Sequence, residues 1–133
     1  MRRKVLLIED QPSIRNILYV LLAALKCDGD VAYSGQQALA MIARESFDAV
    51  LLDLRDSEIP TGEVIEKINA IRPSLIGRVL CITSEIADPK TLDMIENRCG
   101  SLASRGRVIQ EFSTSLKALL AQPPAAEKAA VVE

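Results

Sequence analysis

Val5-Leu6-Leu7-Ile8-Glu9-Asp10 and Val50-Leu51-Leu52-Asp53 are two apolar runs that each end in acid. Short apolar runs of this kind read as buried parallel strands. A carboxylate along a buried strand is costly, because an unpaired buried charge loses its hydration. At the carboxyl end of the strand it instead reaches the crevice where open α/β sheets bind ligands. If the two strands are neighbours, Glu9, Asp10 and Asp53 share one pocket. Three carboxylates in one pocket repel, and a hard cation such as Mg²⁺ is the usual relief.

Outward from these runs, strand and helix alternate. Ile14, Ile17, Leu18, Leu21, Leu22 and Leu25 have helical spacing, with Ser13 as N-cap after Pro12. Asp28-Gly29-Asp30 breaks the pattern, and Val31-Ala32-Tyr33 reads as a short strand. Ser34 with Gln37 resembles a capping box for a helix to about Ser46. Phe47 to Leu52 is the strand ending at Asp53, and a polar loop with Pro60 and Gly62 comes next. Val64, Ile65, Ile68 and Ile71 make a helix that stops before Arg72-Pro73. Val79 to Ile82 is a buried strand ending at Thr83-Ser84, and Asp88-Pro89 starts a helix to Arg98. Gly100 to Gly106 reads as loop, Val108-Ile109 as a weak last strand, and Ser113 to Leu120 as a last helix.

Alternation with short connections means a parallel sheet with helices on both faces. The expected organisation is one domain over residues 1–121 and a disordered Ala/Pro-rich tail over 122–133. A chain of 133 residues suits one core, and 49% apolar with 26% charged residues is ordinary for a folded soluble protein. The net charge of −2 gives no electrostatic case for nucleic acid or an anionic membrane. Arg2-Arg3-Lys4 precedes an apolar run too short for a signal peptide, and no segment is long enough to span a membrane. Cys27, Cys81 and Cys99 lack metal-type spacing; reduced packing thiols and a cytoplasmic location are the expectation. Histidine is absent, which excludes His-based triads and the common zinc sites.

The stretches VLLIEDQPSIRNIL, YSGQQALAMI, FDAVLLDL and VLCITSE resemble the receiver domain of two-component response regulators, from Lys4 to about Ala121. The specific element is the combination: an acidic pair after strand one, a lone Asp after strand three, Thr after strand four. The resemblance implies a flavodoxin-like α/β fold with five helices and five parallel strands in the order 2-1-3-4-5. It implies that Asp53 takes a phosphoryl group from a histidine kinase or a histidine phosphotransfer protein. Glu9 and Asp10 would hold Mg²⁺ with Asp53 and the backbone carbonyl of Arg55. Thr83 would be the switch hydroxyl. A downstream protein would bind the last strand and the last two helices. On this reading the chain is a stand-alone signalling receiver and not an enzyme.

The chain departs from the family pattern around that site. The family has a lysine after strand five, in a Lys-Pro-aromatic sequence; the matching stretch here is Gln110-Glu111-Phe112. Gln110 can donate a hydrogen bond to a phosphoryl oxygen but brings no charge. Arg105 or Arg107 would supply one under a different register. The aromatic residue that precedes the lysine is absent, with Arg107 near its place. Pro60 and Gly62 stand further than usual from Asp53, Asp56 and Glu58 add acid, and Ser84 to Gly106 is long.

Each residue also has a plain structural role. Glu9 and Asp10 suit a helix N-terminus. Asp53 suits a solvated strand end, Thr83 and Ser84 a loop cap, and Gln110 an exposed surface. Two alternatives to the signalling switch stay open. One is a degenerate receiver that binds partners without phosphorylation. The other is a Mg²⁺-dependent phosphatase with an aspartate nucleophile, which fold alone does not exclude; Arg55 stands where its second acid would be.

Overall fold

The computed structural model describes residues 3–9, 12–53, 61–82, 89, 100–102 and 105–121. Strand β1 (Arg3–Glu9) is followed by helix α1 (Pro12–Ala24), β2 (Cys27–Ala32), α2 (Gly35–Arg44), β3 (Ala49–Asp53) and α3 (Thr61–Ile71). Then come a short 3₁₀ turn (Pro73–Leu75), β4 (Val79–Ile82), β5 (Gly100–Leu102) and α4 (Arg105–Leu120). All pairings are parallel, in the order β2-β1-β3-β4-β5. This is the flavodoxin-like doubly wound order. Of the helix expected over 89–98, only Pro89 is described, as helical; the tail over 122–133 lies outside the described residues.

The sheet buries both faces, which is why its central strands read as unbroken apolar runs. Side chains alternate across a strand. Leu6, Ile8, Val50 and Leu52 pack with α2 and α3 on one face. Val5, Leu7, Ala49 and Leu51 pack with α1 and α4 on the other. Val5 through Ile8 are fully buried, and each such side chain contributes about 1.5–3 kcal/mol of transfer free energy.

Three differences from the sequence reading change the architecture; other element ends shift by a residue or two, with α2 ending at Arg44 and β3 starting at Ala49. Helix α1 begins at Pro12, so Ser13 lies in its first turn instead of capping it; proline's fixed φ and missing N–H suit that position. Strand β2 takes in Asp28-Gly29-Asp30, pairing with β1 from Cys27 to Ala32. It is an edge strand, where acids and glycine are tolerated and blunt further pairing. Gly29 also has a packing reason: a Cβ there would stand 2.7 Å from Leu22 Cδ1 and 3.2 Å from Tyr19 Cε1. Leu22 is buried and has little room to retreat. Gly29→Val is therefore expected to cost about 1–3 kcal/mol through overpacking, read as a lower urea midpoint at unchanged slope; an unchanged midpoint would mean that α1 lifts off β2 freely.

The third difference is the largest. Val108-Ile109 is not the last strand; both residues lie inside α4, and β5 is Gly100–Leu102, within the stretch expected to be loop. The capping box of α2 holds as expected at its first half, with Gln37 N donating to Ser34 Oγ at 3.1 Å. Its return bond differs by one residue: Tyr33 N donates to Gln37 Oε1 at 2.8 Å.

Charges at the amino edge of the sheet are paired locally. Lys4 Nζ bonds Glu45 and lies 3.3 Å from Asp30, and these two carboxylates raise its pKa above the usual lysine value. Lys4 N donates to Asp48 Oδ2 at 2.8 Å, and the Arg78 guanidinium donates to the Asp48 carbonyl at 3.1 Å. Such balanced pairs fasten β1, β3 and β4 at the end away from the ligand crevice.

One buried group has a cost with no visible return. Asn69 on α3 is 7% exposed, and among the described residues neither its amide nitrogen nor its amide oxygen has a hydrogen-bond partner. Leaving such a group unsatisfied costs about 1–3 kcal/mol, whereas an apolar side chain of similar shape avoids it. Asn69→Leu is expected to raise the thermal midpoint. A fall would show that the amide finds a partner in solution.

Candidate functional site

Strands β1 and β3 are neighbours, and their register is Ile8↔Leu52 and Glu9↔Asp53. The two acids therefore stand side by side across one ladder step, about 5 Å apart in backbone. Glu9 is 0% exposed and Asp53 2%. Both continue the parity of Val5, Leu7, Ala49 and Leu51, so they belong to the face covered by α1 and α4. Two carboxylates this close repel strongly wherever water is excluded. They are also hard oxygen donors, the donor type that suits Mg²⁺. The carboxylate pair fits a divalent cation on chemistry alone.

Of the other expected site residues, Asp10, Arg55 and Thr83 lie outside the described residues. Asp10 directly follows Glu9. Thr83 directly follows Ile82, the last residue of β4, and β4 is aligned with β3 through Leu52↔Cys81. Among the described residues, no group of three or more His, Cys, Asp or Glu side chains is placed to hold a metal.

Gln110 is displaced from the position expected for it. It does not follow the last strand: it is in the second turn of α4, five residues beyond the helix start at Arg105. Phe112, expected just after the lysine position, is fully buried between α4 and the sheet. The likeness of Gln110-Glu111-Phe112 to a Lys-Pro-aromatic turn therefore has no structural counterpart. From β5 the chain runs through residues 103–104 to Arg105.

The sequence reading also missed a pair on the rim. Tyr33 follows Ala32, whose partner across the ladder is Ile8, so it flanks the carboxyl end of β1. It is 57% exposed. The Arg15 guanidinium, from the first turns of α1, lies 5.0 Å from its ring centroid, within cation–π range. The only signal for this in the sequence is an aromatic placed at the end of a strand.

The family model of the response regulator receiver domain matches residues 5–100. PilR, a response regulator protein of Pseudomonas aeruginosa, is 34% identical over 71 residues, which is 53% of this chain and 15% of PilR. The protein-glutamate methylesterase/protein-glutamine glutaminase of Agrobacterium fabrum is 34% identical over 90 residues, 64% of this chain and 25% of that protein. The chain thus spans a quarter or less of the length of these two relatives. Among solved structures, a CheY-like receiver domain protein from Methanospirillum hungatei superposes with a TM-score of 0.78 at 17% identity, covering 91% of this chain and 95% of that one. The receiver domain of the Pseudomonas aeruginosa sensor histidine kinase PA1611, solved with a magnesium ion coordinated in its active-site cleft, superposes with a TM-score of 0.75 at 17% identity. It covers 92% of this chain and 100% of its own. These two structural likenesses bear on the fold. The family match runs through the run that ends in Glu9-Asp10, through Asp53 and through Thr83, and by it the chain belongs to the response regulator receiver domain family.

Proposed function

We propose that this receiver domain is a phosphorylation switch in two-component signalling, with Asp53 as the phosphoacceptor. The observation that carries the reading is the register Glu9↔Asp53, which sets a buried carboxylate pair at the crevice edge of the sheet. An Asp53 oxygen attacks the phosphorus of a phosphohistidine on a histidine kinase or histidine phosphotransfer protein. The N–P bond breaks and the imidazole leaves with the electron pair. Glu9, Asp10, Asp53 and the Arg55 carbonyl would hold Mg²⁺, which when bound neutralises the charge of carboxylates and phosphoryl oxygens. The solved PA1611 receiver, which has magnesium in its cleft, supports this assignment.

The aspartyl phosphate adds negative charge and acceptor oxygens at the edge where β4 ends and Thr83 follows. Thr83 turning toward them is the proposed start of the conformational response. The response is read by a downstream protein on the surface of β5, α4 and the stretch 89–98, which the sequence pattern marks as helical. We assign the chain no turnover of its own beyond loss of its phosphoryl group to water, and place it in the cytoplasm. No described helix is long and apolar enough to cross a membrane.

The direct test is intact mass after incubation with Mg²⁺ and acetyl phosphate. A phosphoryl adduct that EDTA abolishes is the expected result. Steady hydrolysis of small phosphate esters, lost in Asp53→Asn, would instead revive the phosphatase reading.

A further inference from the structure

We infer that the outer face of α1 is covered by the same face of a second copy of this chain, the two helices packing antiparallel about a two-fold axis at Val20. This holds whether or not Asp53 accepts a phosphoryl group. Leu18 and Leu22 of α1 are buried, and Ile14, Leu21 and Leu25 pack beside them against the core. A surface helix with such an inner stripe ordinarily turns charged side chains outward. Helix α3 does so, exposing Glu63, Glu66 and Lys67. Helix α1 does not: of its 13 residues only Arg15 is charged. Its outward stripe is Ser13, Asn16, Ile17, Val20, Ala23 and Ala24, at helical i, i+3, i+4, i+7 spacing, and all of these are exposed. Ile17 is 38% exposed and Val20, at the centre, 69%.

Charge says what kind of partner fits. Charges across a contact select a foreign partner and exclude wrong ones. The stripe carries none, so it offers a foreign partner nothing to select by. A second copy needs no such selection. In an antiparallel pair the positive N-terminus of each helix lies beside the negative C-terminus of the other, and no like charges meet along the stripe. Absence of charge is also the mark of an interface core. Tyr19, 38% exposed, and the Arg15–Tyr33 pair border one flank of the stripe; tyrosine and arginine are enriched where proteins meet.

Shape points the same way. With a two-fold at Val20, a residue three or four positions before Val20 in one copy meets one three or four positions after it in the other. The longer side chains, Asn16 and Ile17, stand before Val20; Ala23 and Ala24 stand after it. Ile17 falls on the same flank as Ala24 of the second copy, and Asn16 on that of its Ala23. Long side chains thus enter spaces left by short ones, on both sides of the Val20 pair. A parallel pair would set Ile17 level with Ile17 and Ala23 level with Ala23, bulk on bulk and gap on gap. One helix face is smaller than the roughly 800 Å² per partner of a standard interface, so the association is weak and depends on concentration.

The experiment is sedimentation velocity of the full chain from about 1 μM to about 1 mM, at low salt, with each variant checked by thermal melting. The wild type is expected to pass from monomer toward dimer across that range. Val20→Glu sets two carboxylates against each other at the two-fold and is expected to raise the dissociation constant by about tenfold or more. Ile17→Glu and Ala24→Lys each place a charge in the apolar contact and weaken it likewise. The double variant Ile17→Glu/Ala24→Lys sets Glu beside Lys across the two-fold, twice, and recovers the dimer. Ala24→Leu adds apolar surface but fills the space that Ile17 enters, so it also weakens the dimer. Ile17, Val20 and Ala24 are exposed, so these substitutions leave the fold intact.

A wild-type chain that stays monomeric across that range overturns the inference. So does a dimer that Val20→Glu leaves untouched, because the contact is then elsewhere. A dimer that Ala24→Leu strengthens is unspecific apolar association, and overturns it too. Loss of dimer in both single charge variants without recovery in the double one overturns the antiparallel packing. A chain that is monomeric alone but binds a histidine phosphotransfer protein in a Val20-dependent way gives the face to that partner instead of a second copy.

Discussion

Asp53→Asn is expected to abolish the phosphoryl adduct completely while leaving the fold intact. Asparagine keeps the shape of aspartate and removes the nucleophilic carboxylate, so no acyl phosphate forms at that position. The substitution also removes one charge of the buried pair. Glu9 and Asp53 face each other across a ladder step with 0% and 2% exposure, and relief of their repulsion stabilises the metal-free chain. In EDTA, Asp53→Asn therefore melts at or above the wild-type temperature. Mg²⁺ then raises the midpoint of the wild type more than that of the variant, because a ligand stabilises in proportion to its occupancy of the native state. Differential scanning fluorimetry with and without Mg²⁺ checks this. An adduct that persists in Asp53→Asn, or equal Mg²⁺ shifts in both chains, would remove Asp53 from the site.

The same pair of measurements separates the switch from a degenerate receiver. A chain that binds Mg²⁺ at Asp53 but accepts no phosphoryl from either acetyl phosphate or a phosphorylated histidine protein would act through binding alone. The case for degeneracy in the sequence was the missing lysine, with Gln110 at its place, together with the missing aromatic; Gln110 does not follow the last strand but lies in the second turn of α4. The missing aromatic is a separate matter: β5 is Gly-Ser-Leu and supplies none.

The interior of the sheet was legible in the sequence because strands β1, β3 and β4 are buried on both faces. Val5 to Ile8, Ala49 to Leu52 and Val79 to Cys81 have no polar side chain to interrupt the run. The two edge strands were not legible, for the opposite reason. An edge strand needs little apolar surface, so β2 contains Asp-Gly-Asp and β5 is three residues long with one large side chain. With β5 hidden, the β-branched pair Val108-Ile109 took its place in the reading, since such residues favour strands. Helical spacing was there to be seen: Val108 and Ile109 stand four and three residues before Phe112, which itself precedes Leu116 by four. The site obeys the same division. Glu9 and Asp53 terminate legible strands and stand where expected. The Gln110 assignment depended on an edge strand, and Gln110 lies inside α4 instead of directly after β5. The family match ends at residue 100, just where that strand begins.

Phe112→Ala has the largest expected effect on stability and tests this register directly. Phe112 is fully buried and packs with Val5, Leu7, Leu51 and Leu80 beneath α4. Truncating a buried phenylalanine to alanine costs about 3–5 kcal/mol, the lost transfer free energy plus the cavity left behind. Leu116 and Leu119 lie on the same stripe but cannot close that cavity without moving α4 as a whole. Under the alternative register, with a last strand at Val108-Ile109, Phe112 would follow the strand in a loop at the crevice edge. The same change would then cost little and would alter labelling of Asp53 instead. Urea unfolding of Phe112→Ala, set beside its acetyl phosphate time course, distinguishes the two. A drop of several kcal/mol with labelling preserved at low denaturant places Phe112 in the core and Arg105 at the head of the helix. A small drop with altered labelling would return the last strand to Val108-Ile109 and Gln110 to the site.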